Sequence, residues 1–287
     1  MLVIERSDEV GKPLACSGHV SPDIWDFVPE DEKKRLYQNE IKGARFHSGG
    51  REYRFYRDET VSYVIDRVEL DKVKAGQAEE KGAEFRLGEE VETVEEREEA
   101  VKVVTDEGEY QAKMVAGCDG ASSTVREEAG LGDPSRFYQG ILGFSNEDDS
   151  GDFVDVHLDV PEFFGWRIPR ESSVEYGAAV PKGENPVEWL EKVTGKHDTE
   201  VDDIRSAGIA AETVELDDPS TLELYEKNWR EELSTDIMLG ELIRKTYNLS
   251  PAVRNAGMWL FQGKIGVHMD RPTSLLSFRQ LRSLLER

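Results

Sequence analysis

The sequence predicts an α/β fold of the α+β kind, on three observations. Short apolar runs alternate with an amphipathic helical pattern through the first half of the chain. A series of strand-length segments then fills residues 137–180, and helical periodicity dominates the last quarter.

Each element has its own signal. Leu2-Val3-Ile4-Glu5 is an apolar run closed by an acid, the pattern of a buried parallel strand. Residues 12–22 are turn-rich, and residues 24–37 mix aromatic and charged side chains in a short helix. Residues 43–55 alternate around Gly49-Gly50, a hairpin signal. Residues 61–65 read as a strand. Residues 67–82 read as an amphipathic helix with Val68, Leu70, Val73 and Ala78 inward. Residues 85–86 and 91–105 supply further strands, the latter broken by a glutamate-rich turn. Met114-Val115-Ala116 is expected as a strand, followed by the tight turn Gly117-Cys118-Asp119-Gly120 and a helix start with Ser122 and Ser123 as capping residues. Residues 138–145, 153–158, 165–168 and 173–180 are expected to form an antiparallel sheet, and residues 186–193 a helix. Residues 222–247 and 274–287 carry amphipathic helical patterns.

Composition narrows the functional classes. The 287 residues suit one large domain or two ordinary ones. A mean hydropathy of -0.59 and the lack of a long apolar run predict no transmembrane helix. No basic leader precedes the first strand, and Cys16 and Cys118 make no disulfide framework, so a cytoplasmic location is expected. Sixty acidic against 36 basic residues give a net charge of -24, spread along the whole chain. Such a surface repels phosphate backbones and argues against a nucleic-acid partner. Arginine (21) outnumbers lysine (15), and diffuse acidity with few lysines is the composition expected of a halophilic protein. The histidines His19, His47, His157, His197 and His268 are scattered without ligand spacing, so no metal site is expected.

The segment 114–126, MVAGCDGASSTVR, is the most informative. Gly117 and Gly120 let the backbone turn sharply, Asp119 can accept from ligand hydroxyls, and a helix start behind it favours phosphate. It resembles the second nucleotide-binding motif of FAD-dependent monooxygenases and reductases; an ordinary strand-to-helix turn is the alternative. Three other stretches read VIERSDEVGKPLACSG, YVIDRVELD and FFGWRIPRESSVEYGAAVP. Together the four resemble the geranylgeranyl reductases, flavoproteins of the p-hydroxybenzoate hydroxylase-like fold that saturate isoprenoid chains. The overlap runs over nearly the whole chain.

The resemblance implies roles. FAD is the cofactor and an isoprenoid lipid the substrate; the electron donor is not named. Glu5 at the strand end would meet the adenosine ribose, and Arg6 is also assigned to cofactor binding. Lys12, Cys16 and Gly18 would sit in the loop facing the flavin, with Cys16 beside the reacting centre. Arg67 would line the cofactor cleft, with an ion pair to Asp66 or Asp71 as its alternative. Asp119 and Gly120 would touch the dinucleotide. Phe164, Trp166, Ile168, Pro169 and Gly177 would shape an apolar cavity, as a prenyl chain requires; Phe164 stands where the family more often has tyrosine. Lipid substrates also imply peripheral membrane contact.

Two parts of the family pattern do not appear. The chain starts at the strand after the usual Gly-rich turn, and residues 194–198 pass almost directly to 204–212, skipping a Gly-Asp turn. The expectation is a chain truncated at its N-terminus and internally, with an incomplete FAD-binding Rossmann-like domain that retains FAD weakly. That domain would comprise residues 1–135 with about 204–220. An antiparallel substrate-binding region would span 136–203 and a C-terminal helical region 221–287. A flavin monooxygenase or halogenase of the same fold, and a non-catalytic remnant that binds lipid or a partner, remain alternatives.

Overall fold

The computed structural model describes residues 1–14, 16–134, 136–211 and 249–264. The chain opens with β1 (Leu2–Glu5) and β2 (His19–Val20), then a 3-10 turn (Pro22–Phe27) and the single-turn helix α1 (Lys33–Leu36). β3 (Tyr37–Ile41), β4 (Gly43–Ser48), β5 (Arg51–Tyr56) and β6 (Ser62–Ile65) lead into α2 (Arg67–Glu80). β7 (Glu84–Leu87), β8 (Val91–Glu96), β9 (Val101–Thr105) and β10 (Glu109–Ala112) follow, then α3 (Thr124–Glu128). β11 (Arg136–Ser145), β12 (Phe153–His157), β13 (Gly165–Pro169) and β14 (Val174–Pro181) precede α4 (Pro186–Gly195) and β15 (Asp202–Ala211). Last come α5 (Pro251–Phe261) and β16 (Gly263–Lys264).

Among the described residues the strands form four sheets. β1 and β7 pair in parallel, β10-β9-β8 make an antiparallel meander, and β2-β6-β3 make a small antiparallel sheet. An eight-stranded mixed sheet runs in the order β15-β11-β14-β13-β12-β4-β5-β16. Local chemistry explains the main turns and caps. Gly49 and Gly50 both have positive φ (55° and 75°), as a two-residue hairpin between right-twisted strands requires. Asp66 caps α2 by accepting from Glu69 N at 3.1 Å, and the helix buries Leu70 and Val73. Val68 and Ala78, expected inward, are only half-buried.

The large sheet has two different faces because side chains alternate along each strand. On one face Ala44, Val154 and Ile168, with Phe46, Val156 and Trp166, pack against Ile41, Val61 and Val64. On the other, Ile141, Val174, Tyr176 and Ala178 lie under Leu190 and Val193 of α4.

Four expectations are corrected. Residues 114–116 form no strand, and Met114 is 82% exposed. A strand must hand its N–H and C=O groups to a neighbour, and among the described residues β1 pairs only with β7. Residues 204–211, grouped by sequence with the cofactor domain, lie in β15, hydrogen-bonded along β11 at the edge of the large sheet; residues 212–220 fall outside the described residues. The large sheet also draws β4 and β5 from the first 135 residues, so it does not follow a sequence interval. The helix expected over 24–37 is two short pieces separated by a turn. The helices expected over 222–247 and 274–287 lie outside the described residues, while α5 falls inside the C-terminal helical region.

Candidate functional site

The apolar face of the large sheet centres on Trp166. β13 and β14 pair so that Trp166 stands opposite Gly177. The indole lies flat across that glycine: a Cβ there would come within 2.2 Å of the ring. Indole Nε1 donates to Glu175 Oε1 at 2.8 Å. Phe164 meets Trp166 edge-on with ring centroids 6.1 Å apart and stacks on Phe163 at 4.6 Å. Ile168 is buried on the Trp166 face. Pro169, by strand alternation, falls on the other face, and its carbonyl accepts from Asn39 Nδ2 at 3.0 Å. Phe164, Trp166, Ile168 and Gly177 therefore come together as an aromatic and aliphatic wall.

Beneath the indole sits a charged pair that the sequence reading missed. Glu175 is 0% exposed, and its second carboxylate oxygen accepts from Arg170 Nη2 at 2.8 Å. Burial pushes the Glu175 carboxyl up from its ordinary range, with Arg170 opposing. Arg170 also donates to the Ser17 carbonyl and to Gln38 Oε1. The only sequence signal for this pair was a lone acid inside an otherwise apolar strand, VEYGAAV.

The loop before β2 holds the candidate catalytic residue. Arg67 Nη1 donates to Cys16 Sγ at 3.2 Å, and Arg67 Nη2 donates to Asp71 Oδ1 at 3.1 Å. The ion pair to Asp71, expected as the alternative reading of Arg67, is present, and the same side chain also reaches Cys16. Burial works against its charge, but Cys16 and Asp71 outweigh burial and raise its pKa. Gly18 has φ +68° and gives its carbonyl to Ile65 N at 2.9 Å; a Cβ there would strike the Ile65 oxygen at 2.2 Å.

The remaining sequence candidates make their contacts locally. Glu5 ends β1 half-buried and accepts from Ser7 N at 2.8 Å. Arg6 is exposed, 3.9 Å from Glu90, and Lys12 pairs with Glu9 at 2.9 Å on the surface. Asp119 accepts from Ser123 Oγ at 2.5 Å and Val125 N at 3.0 Å, so it braces the start of α3. Burial would raise its pKa, yet these hydrogen bonds lower it. Gly120 has φ +83° in open space. Ser123 caps α3, as expected, by accepting from Arg126 N.

A second polar group lies on the opposite face. Arg45, Asp155, Arg167 and Tyr176 stand side by side across β4, β12, β13 and β14. Arg45 grips Asp155 through Nε and Nη2 at 2.9 and 2.8 Å, and His47 Nε2 reaches the same carboxylate at 2.7 Å. His47 stacks on His157 with centroids 4.5 Å apart, and His157 Nε2 faces His197 Nε2 at 3.1 Å. Burial and the neighbouring His47 push His157 down to about 3. Histidines scattered in sequence thus converge in space; the alternation Arg45-x-His47 beside Asp155-x-His157 was the available signal. Among the described residues no group of His, Cys, Asp and Glu is arranged to hold a metal ion.

The chain belongs to the FAD binding domain family, whose model matches residues 37–194. A digeranylgeranylglycerophospholipid reductase from Methanococcus vannielii is 26% identical over 206 residues, covering 66% of this chain and 52% of that protein. The chain thus spans about half the length of such curated relatives. A solved geranylgeranyl bacteriochlorophyll reductase-like protein from Thermoplasma acidophilum shares the fold, with a TM-score of 0.82 at 17% identity, covering 99% of this chain and 92% of that one. Aklavinone-11 hydroxylase in complex with FAD and aklavinone matches with a TM-score of 0.54 at 19% identity, over 75% of this chain and 50% of that one.

FAD is the cofactor of the family. Glu5, at the end of a parallel strand with one carboxylate oxygen engaged by Ser7, fits the hydroxyl-accepting role at a ribose. The Cys16–Arg67 pair supplies a sulfur and a guanidinium suited to the ring end. Asp119, whose two oxygens are held by Ser123 and Val125, fits less well.

Proposed function

We propose that this chain serves an FAD-dependent reduction of carbon–carbon double bonds in geranylgeranyl-type lipid chains. The observation that carries this reading is the Phe164–Trp166–Ile168 wall, with the Trp166 ring laid over Gly177. An isoprenoid chain offers only apolar surface, so flat aromatic and aliphatic walls are what can hold and orient it. Bound FAD supplies the hydride chemistry. The chain's own residues orient the prenyl segment, exclude water from it, and hold a proton at Cys16 Sγ, which Arg67 fixes in place. Glu5, Arg6, Lys12, Arg67, Asp119 and Gly120 are assigned to the cofactor side. The relatives named for lipid reduction support the substrate class. A lipid substrate also implies a cytoplasmic protein meeting the membrane from its surface; no described helix is long and apolar enough to cross one.

The hydroxylase of the same fold supports a second reading, in which reduced flavin serves oxygen insertion or halogenation instead. Product analysis separates them. The protein is incubated with FAD, dithionite and geranylgeraniol, and the lipid is read by mass spectrometry. Added hydrogen supports the reductase; a second, aerobic incubation with an NADPH-driven flavin reductase that yields oxygenated lipid overturns it.

A further inference from the structure

We infer that the buried Arg170–Glu175 pair is a positioning device that couples the lipid-facing indole of Trp166 to the loop carrying Cys16. The functional label given to the two ends rests on the proposed function; the coupling itself does not.

The geometry is specific. Glu175 points to the Trp166 face of β14, and its two oxygens do different jobs. One takes the indole N–H at 2.8 Å and so sets the ring's orientation over Gly177; the other takes Arg170 at 2.8 Å. Arg170, just past the end of β13, reaches three separate parts of the chain. Besides Glu175 these are the Ser17 carbonyl, one residue beyond Cys16, and Gln38 Oε1 in β3. Its guanidinium also lies over the Phe144 ring at 5.4 Å. Gly18 then ties the same loop to β6 through the Ile65 amide. One planar cation with several fixed donors can hold this arrangement, whereas a lysine ammonium on a flexible stem cannot reach all three acceptors together.

A charged pair at this depth is a costly way to stabilise a sheet, because apolar residues of similar volume would serve as well or better. Its shape explains its presence better than stability does. Both Glu175 oxygens and Arg170 Nη2 serve the two elements that must keep their spacing, the wall at Trp166 and the loop at Cys16, while Nη1 anchors the guanidinium to Gln38 of β3. Moving Glu175 would free the indole on one side and, through Arg170, the Ser17 backbone on the other. Glu175 and Arg170 are positioning residues in this account, since neither is assigned a contact with substrate or flavin.

The test uses the full chain and needs neither flavin nor lipid. In a Cys118→Ser background Cys16 is the sole thiol. Its alkylation rate by iodoacetamide then reports release of the loop, and the Trp166 contribution to emission, defined by difference from Trp166→Phe, reports the indole. Glu175→Gln and Arg170→Met are each expected to speed Cys16 alkylation by about tenfold or more, the scale of one lost local tether, and to shift the Trp166 emission. Arg170→Lys keeps the charge and is expected to behave like Arg170→Met. Val174→Ala, a cavity in the same strand beside the pair, is expected to leave the alkylation rate within about twofold of wild type while lowering stability. Unchanged alkylation in Glu175→Gln and Arg170→Lys overturns the inference, as does equal acceleration by Val174→Ala. Failure of the wild-type protein to bind or reduce geranylgeraniol would overturn the proposed function and leave these readouts standing.

Discussion

Arg67 Nη1 and Cys16 Sγ lie 3.2 Å apart, joining the first helix residue of α2 to a loop fifty-one positions earlier. The contact gives the thiol a fixed address beside a cation in a half-buried setting. Cys16→Ala, assayed in a flavin-loaded preparation, is expected to lower lipid reduction by on the order of a hundredfold, the usual reach of one proton-handling group. Flavin absorbance should be retained. Full turnover in that variant would remove Cys16 from the chemistry.

Gly177→Ala is expected to destabilise the protein by about 1–3 kcal/mol, the usual cost of forcing extra volume into a packed site. The added Cβ would fall 2.2 Å from the indole. Denaturant titration measures the loss. Adding Trp166→Ala to that variant should return part of it, because the clash needs both partners; strictly additive losses would show that the ring and the glycine do not meet.

Stability is expected to fall in acid. Burial holds His19 at about 4 and His157 at about 3, below the ordinary 6.5, so both are neutral when folded and take up a proton on unfolding. Their contribution is complete above about 6.5 and is lost as the pH falls toward those folded values. Asp155 acts in the same direction: burial would raise it, but His47 and Arg45 hold it low, so its contribution fades as it protonates. The expected slope is about 1.4 kcal/mol per pH unit for each histidine. His157→Gln should flatten the profile between pH 6 and 4; an unaltered slope would place the titrating group elsewhere.

FAD retention is expected to be substoichiometric after gel filtration, since Asp119 already has both oxygens engaged by Ser123 and Val125. The flavin absorbance per chain measures it. A fully yellow protein at one flavin per chain would show that Asp119 changes partners when the cofactor arrives.

The net charge of -24 predicts salt-dependent folding. Screening of like charges within about a Debye length should raise the thermal midpoint as salt increases from 0.1 M to above 1 M. A midpoint indifferent to salt would leave the acidity as a solubility feature only.

Much of the fold was legible because its periods are clean. The hairpin at Gly49-Gly50, the α2 cap at Asp66 and the four strands from β11 to β14 each follow from residues a few positions apart. The grouping of Phe164 with Trp166 and Ile168 follows from their alternation along and just before β13. What was not legible depends on pairing between distant segments. Residues 114–116 have strand composition but no neighbour among the described residues to bond with, and β15 joins β11 although its sequence gives no sign of which sheet it enters. Arg170 and Glu175 drew no reading from the sequence, and His47, His157 and His197 read as scattered histidines, until register brought each set into contact.

The indole of Trp166 resting where Gly177 has no side chain has an evolutionary reading. The clash couples the two positions, so the order in which they are changed matters. A lineage can lose the tryptophan first and then explore larger residues at 177, but the reverse path meets the ring immediately. Keeping Trp166 therefore disfavours any side chain at 177, whereas removing the ring first lifts that constraint.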